Sequence, residues 1–143
     1  MAEYRLTDAA RADIVSILAW SHEQFGEEAR RRYEALIATA IRHAALHSGD
    51  GADTPRPELA EGVFSWHLSR SRASAPGGRV HRPRHFLICR RDGDMLVVGR
   101  VLHDAMDLRR HVDPRRTWDQ DDGPSPELSR EAGRASYQQD SSR

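Results

Sequence analysis

The stretch HFLICRRDGDMLVVGRVLH, residues 85–103, sets two apolar runs on either side of Asp92-Gly93. A two-residue turn between antiparallel strands needs positive φ, which glycine adopts without steric cost, so the Asp-Gly pair between apolar runs predicts a β-hairpin. The first run, HFLIC (85–89), is apolar throughout, as expected of a strand covered on both faces. The second, MLVVGRVL (95–102), completes the pair and carries Arg100, followed by His103 and Asp104. A strand end bearing a cation, an imidazole and a carboxylate suits an active site, a docking edge or a capped core strand.

Upstream, the periodicity is helical. EYRL (3–6) reads as a short strand, and Thr7-Asp8 marks a helix start, with a side-chain oxygen for the orphan amides and a carboxylate near the positive helix end. Ala10, Ile14, Ile17, Leu18 and Phe25 then share one face at helical spacing. Gly26 interrupts the pattern, and Ala29, Tyr33, Leu36, Ile37, Ala40, Ile41 and Ala44 resume it; Glu27 with Arg31, Glu28 with Arg32 and Arg30 with Glu34 pair on the other side. Two helices joined this closely form a hairpin whose apolar faces need a sheet to cover them. SGDGADTPRP (48–57) reads as an exposed loop, and VFSWHL (63–68) alternates as a strand, with Phe64, Trp66 and Leu68 on one face.

The predicted order is therefore βααβββ, an α+β domain over residues 1–112 with the helical hairpin packed on a small, mainly antiparallel sheet. Residues 113–143 are rich in Pro, Ser, Asp and Arg, and are expected to form a polar, disordered tail, with a short helix from Ser125 having Pro126 at its first position.

Composition narrows the function. The 143 residues hold 22 basic and 22 acidic side chains, and every basic one is arginine. No run is long enough to span a membrane or act as a signal peptide, which predicts a cytoplasmic protein. Cys89 is the sole cysteine, so no disulfide closes within the chain. His81, His85 and Cys89 are four apart, but on a strand that spacing holds them too far apart to share a metal ion, and neither metal nor cofactor is expected. A phosphate-binding glycine loop is missing, as is a nucleophile beside a base.

Between Gly62 and Arg91 there is no Asp or Glu, yet Arg70, Arg72, Arg79, Arg82, Arg84, Arg90 and Arg91 fall there with His67, His81 and His85. Such a strand-loop-strand suits phosphates or an acidic partner; the plainer alternative is a solvated hairpin in an arginine-rich proteome. RNA cleavage without metal needs a base, an acid and a cation, and His67, His103, Arg70, Arg72 and Arg100 are of those types. The plainer reading of His103 is a strand-end histidine bonded to backbone.

The opening YRLTDAARADIVSILAWSHEQFGEEARRRYEAL, the motif HLSRSR and the ending RPRHFLICRRDGDMLVVGRVLHDAMDLRRHV together resemble the ParE branch of the RelE/ParE toxin superfamily, over nearly all of residues 3–112. The resemblance implies a toxin that poisons DNA gyrase and is neutralised by a ParD-like antitoxin, whose ribbon-helix-helix part binds operator DNA. It implies a binder more than an enzyme. Joined to the charge pattern, it nominates Arg70, Arg72, Arg82, Arg84, His85, Arg100 and His103 for target or partner binding. The alternatives are a RelE-like ribosome-dependent mRNA nuclease using His67, Arg72, Arg100 and His103, or an inactive member that only binds protein. With no lysine, and no tyrosine between Tyr33 and Tyr137, the tyrosine version of that cleavage does not fit.

Overall fold

A computed structural model describes residues 3–47, 53–77, 80–106, 108–112 and 117–118. Strand β1 (Glu3–Leu6) leads into helices α1 (Asp8–Phe25) and α2 (Glu27–His47). Then come β2 (Thr54–Pro55), β3 (Phe64–His67), a 3-10 turn (Leu68–Ser74), β4 (His85–Asp92), β5 (Met95–His103) and the short α3 (Leu108–His111). The sheet runs β1-β5-β4-β3-β2. Among the described residues only β1 and β5 pair in parallel; the other three pairings are antiparallel.

Each sequence signal has a local cause in the fold. Gly93 takes φ 63° in the β4–β5 turn, and Gly26 takes φ 93° between the helices. Thr7 caps α1 twice over: its hydroxyl oxygen accepts from the Ala10 amide at 3.1 Å, and its O–H donates to the Gly99 carbonyl at 2.8 Å. The helix start is thereby fastened to β5.

The helical hairpin covers one sheet face. Leu36, Ile37, Ala40, Ile41 and Ala44 pack there against Trp66, Leu68, Leu87, Cys89, Leu96, Val98 and Val101. The other face is also covered, by a smaller cluster of Leu59, Val63, Phe86, Ile88, Val97, Leu102, Val112 and Trp118. Covering on both sides explains why β4 is apolar throughout. On β5, the residues facing the hairpin change from Leu96 and Val98 to Val101. This change of parity marks a bulge at Gly99, where Cys89 pairs with Val98 but Ile88 pairs with Arg100.

Three expectations need correction. Within 48–57, read as loop, Thr54 and Pro55 pair with Ser65 and Phe64, adding an edge strand. Phe25, placed on the buried face of α1, is 67% exposed, because at the last residue of the helix its ring packs on the exposed Trp20 instead of joining the core. Two residues of the stretch read as a disordered tail, Thr117 and Trp118, are buried. The reason lies at Gly99, whose missing side chain leaves room for the indole: a Cβ there would sit 2.5 Å from the Trp118 ring. Arg90 stacks on the same ring, 5.0 Å from its centroid. Residues 113–116 and 119–143, with the helix expected from Ser125, lie outside the described residues. No described helix is long and apolar enough to cross a membrane.

Candidate partner-binding site

The basic turn after β3 is a 3-10 helix, in which every third side chain points the same way. Leu68 and Ser71 obey that period and are fully buried, which turns Arg70 and Arg72 away from the core. Arg70 is exposed and Arg72 half-buried, and neither has an ion pair or hydrogen bond among the described residues. The turn is held at two points. At its start, the His67 ring nitrogen Nδ1 accepts from the Ser69 amide at 3.1 Å. In its middle, Ser71 Oγ accepts from the Trp66 indole N–H at 3.2 Å and lies 2.9 Å from Nδ1 of His43 on α2.

A second cluster forms where β3 and β5 end and β4 begins. With Nδ1 accepting, the other nitrogen of a neutral His67 ring carries the proton, and this Nε2 meets Asp104 Oδ2 at 2.9 Å. Arg84 donates to Asp104 Oδ1 at 3.3 Å, and His103 Nδ1 stands 3.6 Å from that oxygen. Burial raises the Asp104 pKa, but the hydrogen bonds from His67 and Arg84 outweigh it and hold the carboxyl below its ordinary value. His103 also accepts from the Ala105 amide at 3.1 Å, the backbone role expected of a strand-end histidine.

Behind this cluster, His85 stacks edge-on against His103, with ring centroids 5.3 Å apart, and its Nδ1 is 2.6 Å from the Tyr33 hydroxyl. Burial, with His103 adding to it, lowers the His85 pKa from 6.5 to about 4. Burial raises that of Tyr33 to about 12. The phenol therefore donates to a neutral imidazole near pH 7, while its oxygen accepts from the Arg84 amide at 3.3 Å.

Next to His85, a groove of about 630 Å³ opens between the helical hairpin and residues 80–85. Its lining mixes apolar Ile17, Trp20, Phe25 and Val80 with basic Arg32, Arg82 and Arg84 and the ring of His81, and holds no carboxylate among the described residues. Trp20 and Phe25 are 55% and 67% exposed and pack edge to face at 5.7 Å. Arg82, at the rim, has φ 58°, a left-handed conformation that costs an arginine steric strain.

The nominated residues thus separate into three sets. His67, Arg84, His85 and His103 gather around Asp104 and Tyr33. Arg70, Arg72 and Arg82 face outward. Arg100 joins neither set, because its guanidinium grips Asp13 of α1 at 2.7 and 2.9 Å and also donates to the His111 carbonyl. Sequence reasoning missed Asp13 because it lies on what reads as the polar helix face, and missed Trp20 because it falls off the apolar stripe. A large aromatic on a polar face was the available signal for the groove.

The family of ParE toxins of type II toxin–antitoxin systems (parDE) matches residues 4–108, from β1 to the first residue of α3. The chain belongs to this ParE toxin family. It is 28% identical over 109 residues to Toxin ParE of Escherichia coli, an alignment covering 76% of this chain and 90% of that protein. A solved chain from the chromosomal ParDE system of P. aeruginosa superposes with a TM-score of 0.55 at 17% identity, covering 72% of this chain and 96% of that one. At that identity the likeness is one of fold. Both clusters and the groove lie within the ParE-matched residues, whereas Thr117 and Trp118 lie beyond them.

Proposed function

We propose that this ParE-family chain acts in the cytoplasm as a protein-binding inhibitor of DNA gyrase, and that a ParD-like antitoxin neutralises it. The observation that supports this reading is the anchored turn displaying Arg70 and Arg72 without counter-charge among the described residues, as a surface for an acidic target does. The groove suits the antitoxin: an amphipathic segment would set apolar side chains against Trp20 and Phe25 and carboxylates against Arg32 and Arg82. Operator DNA would be reached through the antitoxin alone.

The test is supercoiling by gyrase in the presence of purified toxin. Replacing Arg70 and Arg72 together by alanine should weaken inhibition about 30-fold or more, since hot residues of a binding surface contribute about 1 to 3 kcal/mol each. Unchanged inhibition overturns the assignment. RNA cleavage is a second reading, favoured by one observation: His67 and His103 reach the same carboxylate from two strands. New cuts in cellular mRNA, mapped by primer extension and lost with His103→Ala, would put that reading first. Loss of a general acid or base lowers turnover by about 10² to 10⁴.

A further inference from the structure

We propose that Ser71 and His43 are positioning residues for target binding, whose hydrogen bond fixes how the turn presents Arg70 and Arg72. The inference rests on the gyrase-inhibitor reading above and assigns the part of the fold that sets the geometry of that surface.

Ser71 stands between the two arginines and is fully buried, so the backbone that carries both guanidinium stems follows wherever its hydroxyl is held. Since Ser71 Oγ takes the Trp66 indole proton, its own proton is free for His43 Nδ1, 2.9 Å away. Burial, with His47 and Arg42 nearby, lowers the His43 pKa and favours the neutral ring that accepts this proton. The link crosses from the turn to α2, while Trp66 ties it to β3, so one side chain locks three elements together.

Packing alone does not call for this arrangement. Leu68, three residues earlier, is also fully buried and already anchors the turn through apolar contact. A small apolar residue at 71 would fill comparable space. What the hydroxyl adds is direction, because a hydrogen bond fixes rotation about the turn axis where apolar contact tolerates sliding. Arginine has high rotamer entropy, and a stem rooted in a fixed backbone loses less freedom on binding than one on a rocking turn.

The experiment uses full-length toxin recovered from its complex with the antitoxin, with three readouts: inhibition of gyrase supercoiling, affinity for the antitoxin, and the thermal midpoint. Ser71→Ala and His43→Ala should each weaken inhibition about tenfold. His43→Asn, whose amide carbonyl can stand where Nδ1 accepts, should restore inhibition to within about twofold of wild type. Antitoxin affinity should stay unchanged across the His43 variants, since the groove lies elsewhere, while the thermal midpoint should fall with His43→Ala, which leaves the buried Ser71 hydroxyl without its acceptor, and recover with His43→Asn. Should Ser71→Ala fail to fold, the two His43 variants decide. Unchanged inhibition by His43→Ala, or a loss that Asn does not restore, overturns the proposal. The joint Arg70 and Arg72 replacement separates the two levels: if it has no effect, the target-binding reading fails first; if it abolishes inhibition while the His43 variants behave as wild type, only the positioning role is lost.

Discussion

Arg100 and His103 stand three residues apart on one strand and have different partners. Arg100 is 23% exposed at its side chain and held by both oxygens of Asp13, one of which also accepts from the Val101 amide at 2.9 Å. Asp13 therefore ties α1 to β5 through a cation and a backbone donor at once. Asp13→Ala leaves both groups without that acceptor and should lower stability by about 2 kcal/mol in urea unfolding, with Asp13→Asn recovering part of it through the Val101 bond. A loss below about 0.5 kcal/mol would mean that water replaces the carboxylate at little cost. At this scale the sequence was half legible. The sequence marks Asp104 as a carboxylate at the strand end, but its hydrogen bonds run to His67 and Arg84 from other elements; the Arg100–Asp13 pair likewise joins residues far apart in the chain, and no local pattern distinguishes Asp13 from any solvated helix carboxylate.

Among elements, the β4–β5 hairpin and the two helices were legible because their signals are local: a turn dipeptide, a cap, a repeat of the right period. The 3-10 turn and the residues covering the outer sheet face were not. The site of Trp118 is made by an absence, the missing side chain of Gly99, and glycine in a strand reads equally as a bulge. The two positions should therefore be coupled. Gly99→Ala and Trp118→Ala should each destabilise by about 2 kcal/mol, the first by driving a methyl into the ring and the second by uncovering Phe86, Ile88 and Val97. The double variant should lose clearly less than the sum, because an indole already displaced has little left to contribute. Strict additivity in a double-mutant cycle would show that Trp118 does not occupy the Gly99 site in solution.

For the molecule as a whole, composition and periodicity announced a small α+β unit, while strand order stayed hidden because pairing between distant strands leaves no mark in either sequence. The sole cysteine offers a probe of that whole. Cys89 lies on β4 beneath the helical hairpin, fully buried, and burial pushes its thiol pKa far up. Native toxin should therefore resist thiol-specific reagents, and the labelling rate in rising urea should follow global unfolding measured by circular dichroism. Fast labelling in native buffer would reveal local opening of the central strands. The parallel pairing of β1 with β5 sets a further condition, this one in time. The second strand of the chain's first ladder, Met95–Val98, is among the last parts of the domain to be synthesised, so β1 and the helices wait at the ribosome without the sheet they cover. A cell making this protein thus meets its finished binding surface only once β5 has left the ribosome, and until then the nascent chain is open to capture by whatever binds its bare helices.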